Sequence, residues 1–178
     1  METEIRAYAV AKGIRPETLE RWLSWRTEDG SALERVALSL KISENHLRDL
    51  MVWLEEIALR DGLAIHTILA SKSIHSIETD PRLGRADKLK RIKEEIRRLR
   101  FPRLAGVEDA IQSKIRVLKL HPEIRLSIPP GLEGGTLRVE FCAASQHDVK
   151  RLAGRLQEAA EQVAMVEIFN LLGGDLTQ

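Results

Sequence analysis

The hydrophobic positions of this chain change their spacing twice along its length. From about residue 3 to residue 70 they recur at intervals of three and four residues, which predicts several short α-helices. The same spacing continues from about 80 to 101 among many charged residues, and from about 106 to 172 it passes from helical to alternating and back. The chain is therefore predicted to be mainly α-helical, with a small α+β part.

The first segment contains an internal repeat with the spacing of a helix-turn-helix. The residues from Ala9 to Ile14 align with those from Ala37 to Ile42, an offset of 28 residues. A small alanine allows two helices to cross closely, and the turn residue four positions later adopts a left-handed backbone. Gly13 suits that turn better than Lys41 does. The segment is predicted to hold tandem helix-turn-helix units.

The second helix of each unit is the candidate DNA-reading helix. Pro16 suits the first position of one helix, and Ser43 can cap the other, which would begin at Glu44. Polar side chains on these helices are of types that contact base edges and phosphates, although nearby acids such as Glu20 and Asp49 would repel phosphates. The candidates are Arg15, Thr18 and Arg21 in the first unit and Asn45, His46 and Arg48 in the second.

The segment 82–103 is strongly basic, with ten lysine and arginine residues against three acidic ones. An apolar stripe with spacings of three, four and three residues predicts an amphipathic helix, which Pro102 ends. The stripe consists of Leu89, Ile92, Ile96 and Leu99. It would also let two such helices pair across a dimer axis. The excess of positive charge in this segment either forms a solvated face or contacts DNA phosphates, and its size favours phosphates. The expected contacts are Lys88, Arg91, Arg97 and Arg98.

The third segment is predicted to form a helix, two strands and a helix. A helical pattern after Gly106 ends before Pro122, and alternation predicts strands over 124–128 and 137–141, joined by a loop rich in proline and glycine. Ser145 and Asp148 have capping-box spacing at the start of the last helix. A lone hairpin is marginally stable, so we expect two copies to pair into a four-stranded sheet. The predicted dimer interface is Leu137, Val139, Phe141, Leu152 and Leu156.

This α-β-β-α order resembles the C-terminal dimerisation domain of ParB-type chromosome and plasmid partition proteins. The residues that carry the resemblance are those from Ile124 to Ile128, from Gly135 to Phe141 and from Ser145 to Leu152. The helix-turn-helix units upstream fit the layout of the same family. The resemblance implies a dimer that contacts DNA through a basic surface. The arginine-rich box of that family's nucleotide-binding domain is absent from this chain, so the resemblance does not imply nucleotide-dependent clamping or ATPase recruitment.

The sequence predicts neither a catalytic centre nor a bound cofactor or metal. The single cysteine, Cys142, excludes an internal disulfide, favours a reducing compartment and is expected to be buried. Glu55 and Glu56 are expected to be solvated. No apolar run approaches the roughly 20 residues that span a bilayer, and no signal peptide is evident. A cytoplasmic protein is expected, nucleoid-associated if it binds DNA. The histidines lack metal-site spacing at His46, His66, His75, His121 and His147.

Three domains are predicted: a tandem helix-turn-helix domain over 1–78, a basic helical linker over 79–104 and a dimerisation domain over 105–178. The expected function is a homodimer that binds double-stranded DNA, as a partition protein or transcription regulator does. Asn45 and Arg48 would contact bases. The alternative is a non-catalytic adaptor or scaffold dimer that grips another protein through the first segment, where acids outnumber basic residues.

Overall fold

The computed structural model describes residues 2–174, which contain ten α-helices and one antiparallel sheet of two strands. The chain divides into two compact units, residues 1–101 and 102–178. The described part of the first unit is helical, and the second combines three helices with the sheet. The prediction of a mainly α-helical protein with a small β-sheet is confirmed.

Seven helices build the first unit around one core. Aliphatic side chains from all seven pack together in it, with the indole of Trp22 fully buried among them. The helices are α1 (Glu2–Lys12), α2 (Pro16–Leu23), α3 (Thr27–Leu40), α4 (Glu44–Asp61), α5 (Ile65–Leu69), α6 (Lys72–Thr79) and α7 (Arg85–Arg100).

Two left-handed turns join α1 to α2 and α3 to α4. Gly13 has a φ of 64° and Lys41 a φ of 53°, so the lysine tolerates a conformation that glycine adopts more readily. In both turns the next amide donates a hydrogen bond to the carbonyl of a buried alanine, which closes the end of the helix. These bonds are Ile14 to Ala9 (2.9 Å) and Ile42 to Ala37 (3.2 Å).

The basic helix α7 packs into the first unit against α3, α4 and α6. Ile92 and Ile96 are fully buried, and Leu89 and Leu99 pack against the same core. Residues 79–101 of the segment predicted as a linker over 79–104 are therefore part of the first unit, and residues 102–104 belong to the second. Its apolar stripe is covered by the chain's own helices, so the expected pairing of two α7 helices across a dimer axis is wrong.

The second unit has one more helix than the predicted α-β-β-α order. The single last helix expected from the sequence ends at Ala160, because Gln162 is extended, and a further apolar helix follows. That helix packs on the first helix of the unit. The elements are α8 (Pro102–Val117), β1 (Ile124–Ser127), β2 (Arg138–Phe141), α9 (Gln146–Ala160) and α10 (Val163–Gly173).

The two strands form a sheet with one apolar and one polar face. In the antiparallel register Ile124 lies opposite Phe141 and Leu126 lies opposite Val139, so these four side chains share a face. Ile124 and Leu126 are buried there in the core of the unit. The loop between the strands contains a short 3₁₀ turn, and Ser145 caps α9 by accepting a bond from the amide of Asp148 (3.1 Å), as its spacing predicts.

Candidate nucleic-acid interface

Glu44, in the first turn of α4, binds side chains that the sequence analysis assigned to DNA. Its carboxylate accepts hydrogen bonds from the Thr18 hydroxyl (2.8 Å) and from Nε of Arg15 (3.0 Å). Burial by itself would raise the pKa of Glu44, but the bonds from Thr18 and Arg15 lower it below its ordinary value. Arg15 and Thr18 are therefore used to hold α2 against α4.

Glu55, further along α4, accepts hydrogen bonds in the same way as Glu44. It accepts hydrogen bonds from Nε of Arg21 (3.0 Å) and Nε1 of Trp25 (2.7 Å). Burial would raise the pKa of Glu55, and these two bonds lower it below its ordinary value. The expectation that Glu55 is solvated is wrong, because it is half-buried in these contacts. Glu56 is exposed, as expected, and accepts a surface bond from Arg100 (3.0 Å).

The second candidate set lies on the open surface at the start of α4. Asn45, His46 and Arg48 are all exposed there. Nζ of Lys93 on α7 lies 3.2 Å from Nδ1 of His46 and donates to the carboxylate of Asp49 at 2.9 Å. The amino-terminal turn of α4 and one side of α7 therefore form a continuous surface.

An open groove of about 360 Å³ lies between α4 and α7. Nζ of Lys93 stands 5.0 Å from the centre of the Trp53 ring on its wall, a distance suited to a cation–π interaction. Sequence reasoning singled out neither residue, although Lys90, Lys93 and Arg97 have the spacing of one helix face. The lining residues are His46, Trp53, Ala86, Leu89, Lys90, Lys93, Glu94 and Arg97. We call this the α4–α7 groove.

The four predicted phosphate contacts of α7 lie on two different sides of the helix. Arg97 lines the α4–α7 groove and pairs with Glu94 at 2.8 Å. Nζ of Lys88 donates to the carbonyl of Glu78 at 2.7 Å, and Arg91 lies in another shallow groove beside α6. Arg98 is half-buried. The positive charge expected to form one stripe is therefore divided between two surfaces.

A buried carboxylate in the first unit binds a histidine that no sequence pattern singles out. Oδ1 of Asp29 accepts a hydrogen bond from the backbone amide of His66 at 2.7 Å and lies 2.8 Å from Nδ1 of its ring. Asp29 is 7% exposed. Because the two residues are 37 positions apart, only the packing of α5 on α3 reveals the contact, which fixes the start of α5.

The predicted dimer-interface residues occupy two environments in the second unit. Val139 and Phe141 remain 38% and 37% exposed on the apolar face of the sheet, while Leu137 and Leu156 pack at the margin of the core. Leu152 is only 2% exposed, because α9 turns it into its own core, so it is not available to a second copy. Cys142, expected to be buried, is exposed beyond the end of β2.

The part of the chain that the structure covers contains neither a metal-binding cluster nor a helix that could span a membrane. Within residues 2–174, no three histidine, cysteine or acidic side chains are grouped closely enough to hold a metal ion. None of the helices there is both long and apolar enough to cross a membrane. No family model, curated protein or solved structure was found to match this chain.

Proposed function

We propose that this protein is a homodimer that binds double-stranded DNA through the first turns of α4 and the adjoining side of α7. The observation that carries the proposal is the contact between His46 and Lys93, which joins a helix bearing base-reading side chains to a helix bearing cations. In this proposal α3 and α4 act as a helix-turn-helix, with α4 as the recognition helix.

The side chains at the start of α4 have the chemistry that base recognition needs. Asn45 is able to bind the N6 and N7 positions of adenine, and Arg48 the O6 and N7 positions of guanine. Both are exposed in the first two turns of α4, where a recognition helix contacts base edges. Lys90 and Arg97, across the groove, would contact phosphates and so fix the position of α4 on the duplex.

Dimerisation in this proposal uses β2 and the exposed part of the apolar face. Val139 and Phe141 continue the face whose other half, Ile124 and Leu126, is buried. Within the described chain β2 pairs with β1 alone, so its outer edge is available to the β2 of a second copy. Pairing there would cover the two exposed side chains and present two copies of α4 to one duplex.

The experiment is fluorescence anisotropy of the full chain on a labelled duplex of mixed sequence at several salt concentrations. The test variant combines Arg48→Glu with Lys90→Glu, because both side chains are exposed and neither forms an ion pair with any residue from 2 to 174. The control combines Arg103→Glu with Lys150→Glu, exposed positions in the second unit that change the net charge equally.

We expect wild type to bind with an affinity that falls as salt rises: the logarithm of the association constant should drop by about 0.9 per phosphate contact for each tenfold increase in salt. The test variant should bind at least ~10-fold more weakly, while the control binds as wild type does. Equal binding by the two variants would contradict the proposed surface. Absence of binding at low salt by the folded dimer would contradict DNA binding altogether.

A protein–protein adaptor is the second candidate function, favoured by the ion pairs within the first unit. Lys93 is paired with Asp49, Arg97 with Glu94 and Arg100 with Glu56, so much of the positive charge of α7 is balanced internally. An adaptor would use the apolar wall of the α4–α7 groove, with Trp53 and Leu89, as its contact. Capture of a partner that survives nuclease treatment would support this function.

A further inference from the structure

The second unit contains a concave pocket of about 890 Å³ along β1, away from the α4–α7 groove. All four residues of β1 line it, together with the end of α8 and the turn that follows, and no residue of β2 does. The pocket therefore lies along the edge of β1 that faces away from β2. This edge of β1 is not the β2 edge proposed above as the dimer contact.

Some backbone groups on this edge of β1 lack hydrogen-bond partners among the described residues. The amide of Ile124 donates to the carbonyl of Leu120 (3.1 Å), which places it on the side away from β2. Because alternate residues of a strand direct their backbone groups to the same side, the amide and carbonyl of Leu126 also face the pocket. Neither group has a hydrogen-bond partner there in the described chain.

The side chains around the pocket combine an apolar floor with a basic rim. Ile115, Leu120 and Leu126 contribute the apolar surface, and Arg116, Lys119 and Arg125 contribute the positive charge. None of the residues that line the pocket is acidic, and none of the three cations has a side-chain ion pair in the described part of the unit. The electrostatic potential of the pocket therefore favours an anionic occupant.

We propose that this pocket binds an extended acidic segment of a partner protein, which adds to the edge of β1 as a third strand. The backbone of the segment would bond to the amide and carbonyl of Leu126. Its side chains would alternate between apolar and acidic. The apolar ones would pack on Ile115, on the face of β1 that carries Leu126, and the acidic ones would face Arg125 and the basic rim. An extended peptide fits both properties of the pocket, whereas DNA phosphates would satisfy the cations and leave the apolar floor uncovered.

The test uses the full chain and a fluorescein-labelled peptide of about nine residues that alternates glutamate with valine, long enough to cross the strand. Binding is followed by fluorescence anisotropy. The test variant combines Arg116→Glu with Arg125→Glu, two exposed positions, and the control is again Arg103→Glu with Lys150→Glu. Two further peptides carry N-methyl groups on one or the other alternate set of amides, which removes the donors of one edge at a time.

We expect saturable binding that the test variant weakens at least ~10-fold, corresponding to about 1.4 kcal/mol, and that the control variant retains. One N-methylated peptide should lose binding and the other should keep it, because only one edge of an added strand faces β1. Equal loss with both methylated peptides, or equal binding of a lysine–valine peptide, would overturn the proposal.

Two other occupants of the pocket would also overturn the proposal. If the Arg116→Glu, Arg125→Glu variant binds duplex DNA more weakly and the peptide unchanged, the pocket contacts DNA. If the same variant converts a dimer into monomers in sedimentation velocity, a second copy of the chain occupies the edge. Neither outcome bears on the Arg48 and Lys90 surface, although the second would move the dimer contact from β2 to β1. This proposal and DNA binding by the first unit therefore fail separately.

Discussion

The hydroxyl of Tyr8 on α1 donates a hydrogen bond to the backbone carbonyl of Ile42, 2.7 Å away, at the turn between α3 and α4. The carbonyl of Ala37 lies 3.0 Å from the same oxygen. Tyr8 is 6% exposed, and its ring meets that of Trp22 edge to face at 6.2 Å. This bond joins the first helical hairpin to the left-handed turn of the second.

Replacement of Tyr8 by phenylalanine should lower the free energy of unfolding by about 1–2 kcal/mol, because it removes a buried hydrogen bond and preserves the ring. Urea denaturation of wild type and variant measures the change. Val10→Ala on the same helix is the control, since Val10 is 85% exposed and should have little effect. An unchanged midpoint for Tyr8→Phe would mean that the bond contributes nothing to stability.

Tyr8 should also titrate at unusually high pH. Burial raises its pKa from 10.0 to about 12, partly opposed by the hydrogen bond to Ile42. The folded state therefore holds the phenolic proton more tightly than the unfolded state, and the stability that this contributes is complete below pH 10 and falls as pH rises towards 12. Because Tyr8 is the only tyrosine of the chain, ultraviolet absorbance of the phenolate measures its titration directly. A transition near the ordinary value in the folded protein would contradict its burial.

Glu44 and Glu55 should make the first unit sensitive to acid. The pKa values of both carboxyls are below the ordinary value of 4.5 in the folded state, so their contribution to stability is present above that value and is lost as pH falls below it. Glu44→Gln combined with Glu55→Gln should flatten this loss in urea denaturation at several pH values. The control combines Glu17→Gln with Glu20→Gln, which neutralises two exposed carboxylates on α2. The same acid dependence in both double variants would contradict the assignment.

If two copies pair at β2, substitutions on the exposed face of that strand and substitutions in the core of the unit should have different effects. Val139→Lys with Phe141→Lys should give a folded monomer, because both side chains are partly exposed and their charges would meet across the β2 edges. Leu152→Ala should instead lower the free energy of unfolding by about 2–5 kcal/mol, since Leu152 lies in the core of its own unit. Sedimentation velocity and thermal denaturation measure the two effects. A Val139, Phe141 double variant that remains dimeric would remove β2 from the interface.

Much of the local structure was predictable because it depends on neighbours along the chain. The apolar spacing of Ile92 and Ile96 predicted the buried side of α7, and the alanine-to-turn spacing predicted the left-handed residues Gly13 and Lys41. The alternation around Leu126 predicted β1 and the face on which it is buried. Helix and strand periods constrain side chains within a few residues of each other, so a single sequence is sufficient to recognise them.

The candidate site was predicted only in part, because residue type does not reveal a distant partner. Arg21 had the chemistry of a DNA contact in the sequence, yet Glu55, 34 positions later, binds it in the structure. Lys93 received no role from its position, yet it is the residue that contacts both His46 and Trp53. Charge on one helix is a property of the sequence, whereas the charge available to a ligand depends on the acids that pack beside it.

The sequence by itself determined the helical character of the chain, the two strands and their apolar face, the left-handed turns and the cap of α9, since each follows from short-range backbone and side-chain preferences. The tertiary structure decided where α7 packs, which cations are paired, and that Leu152 is covered while Phe141 is not. Those outcomes arise from contacts between helices far apart in sequence. Such contacts depend on how whole faces fit together and exclude water, which no local pattern specifies.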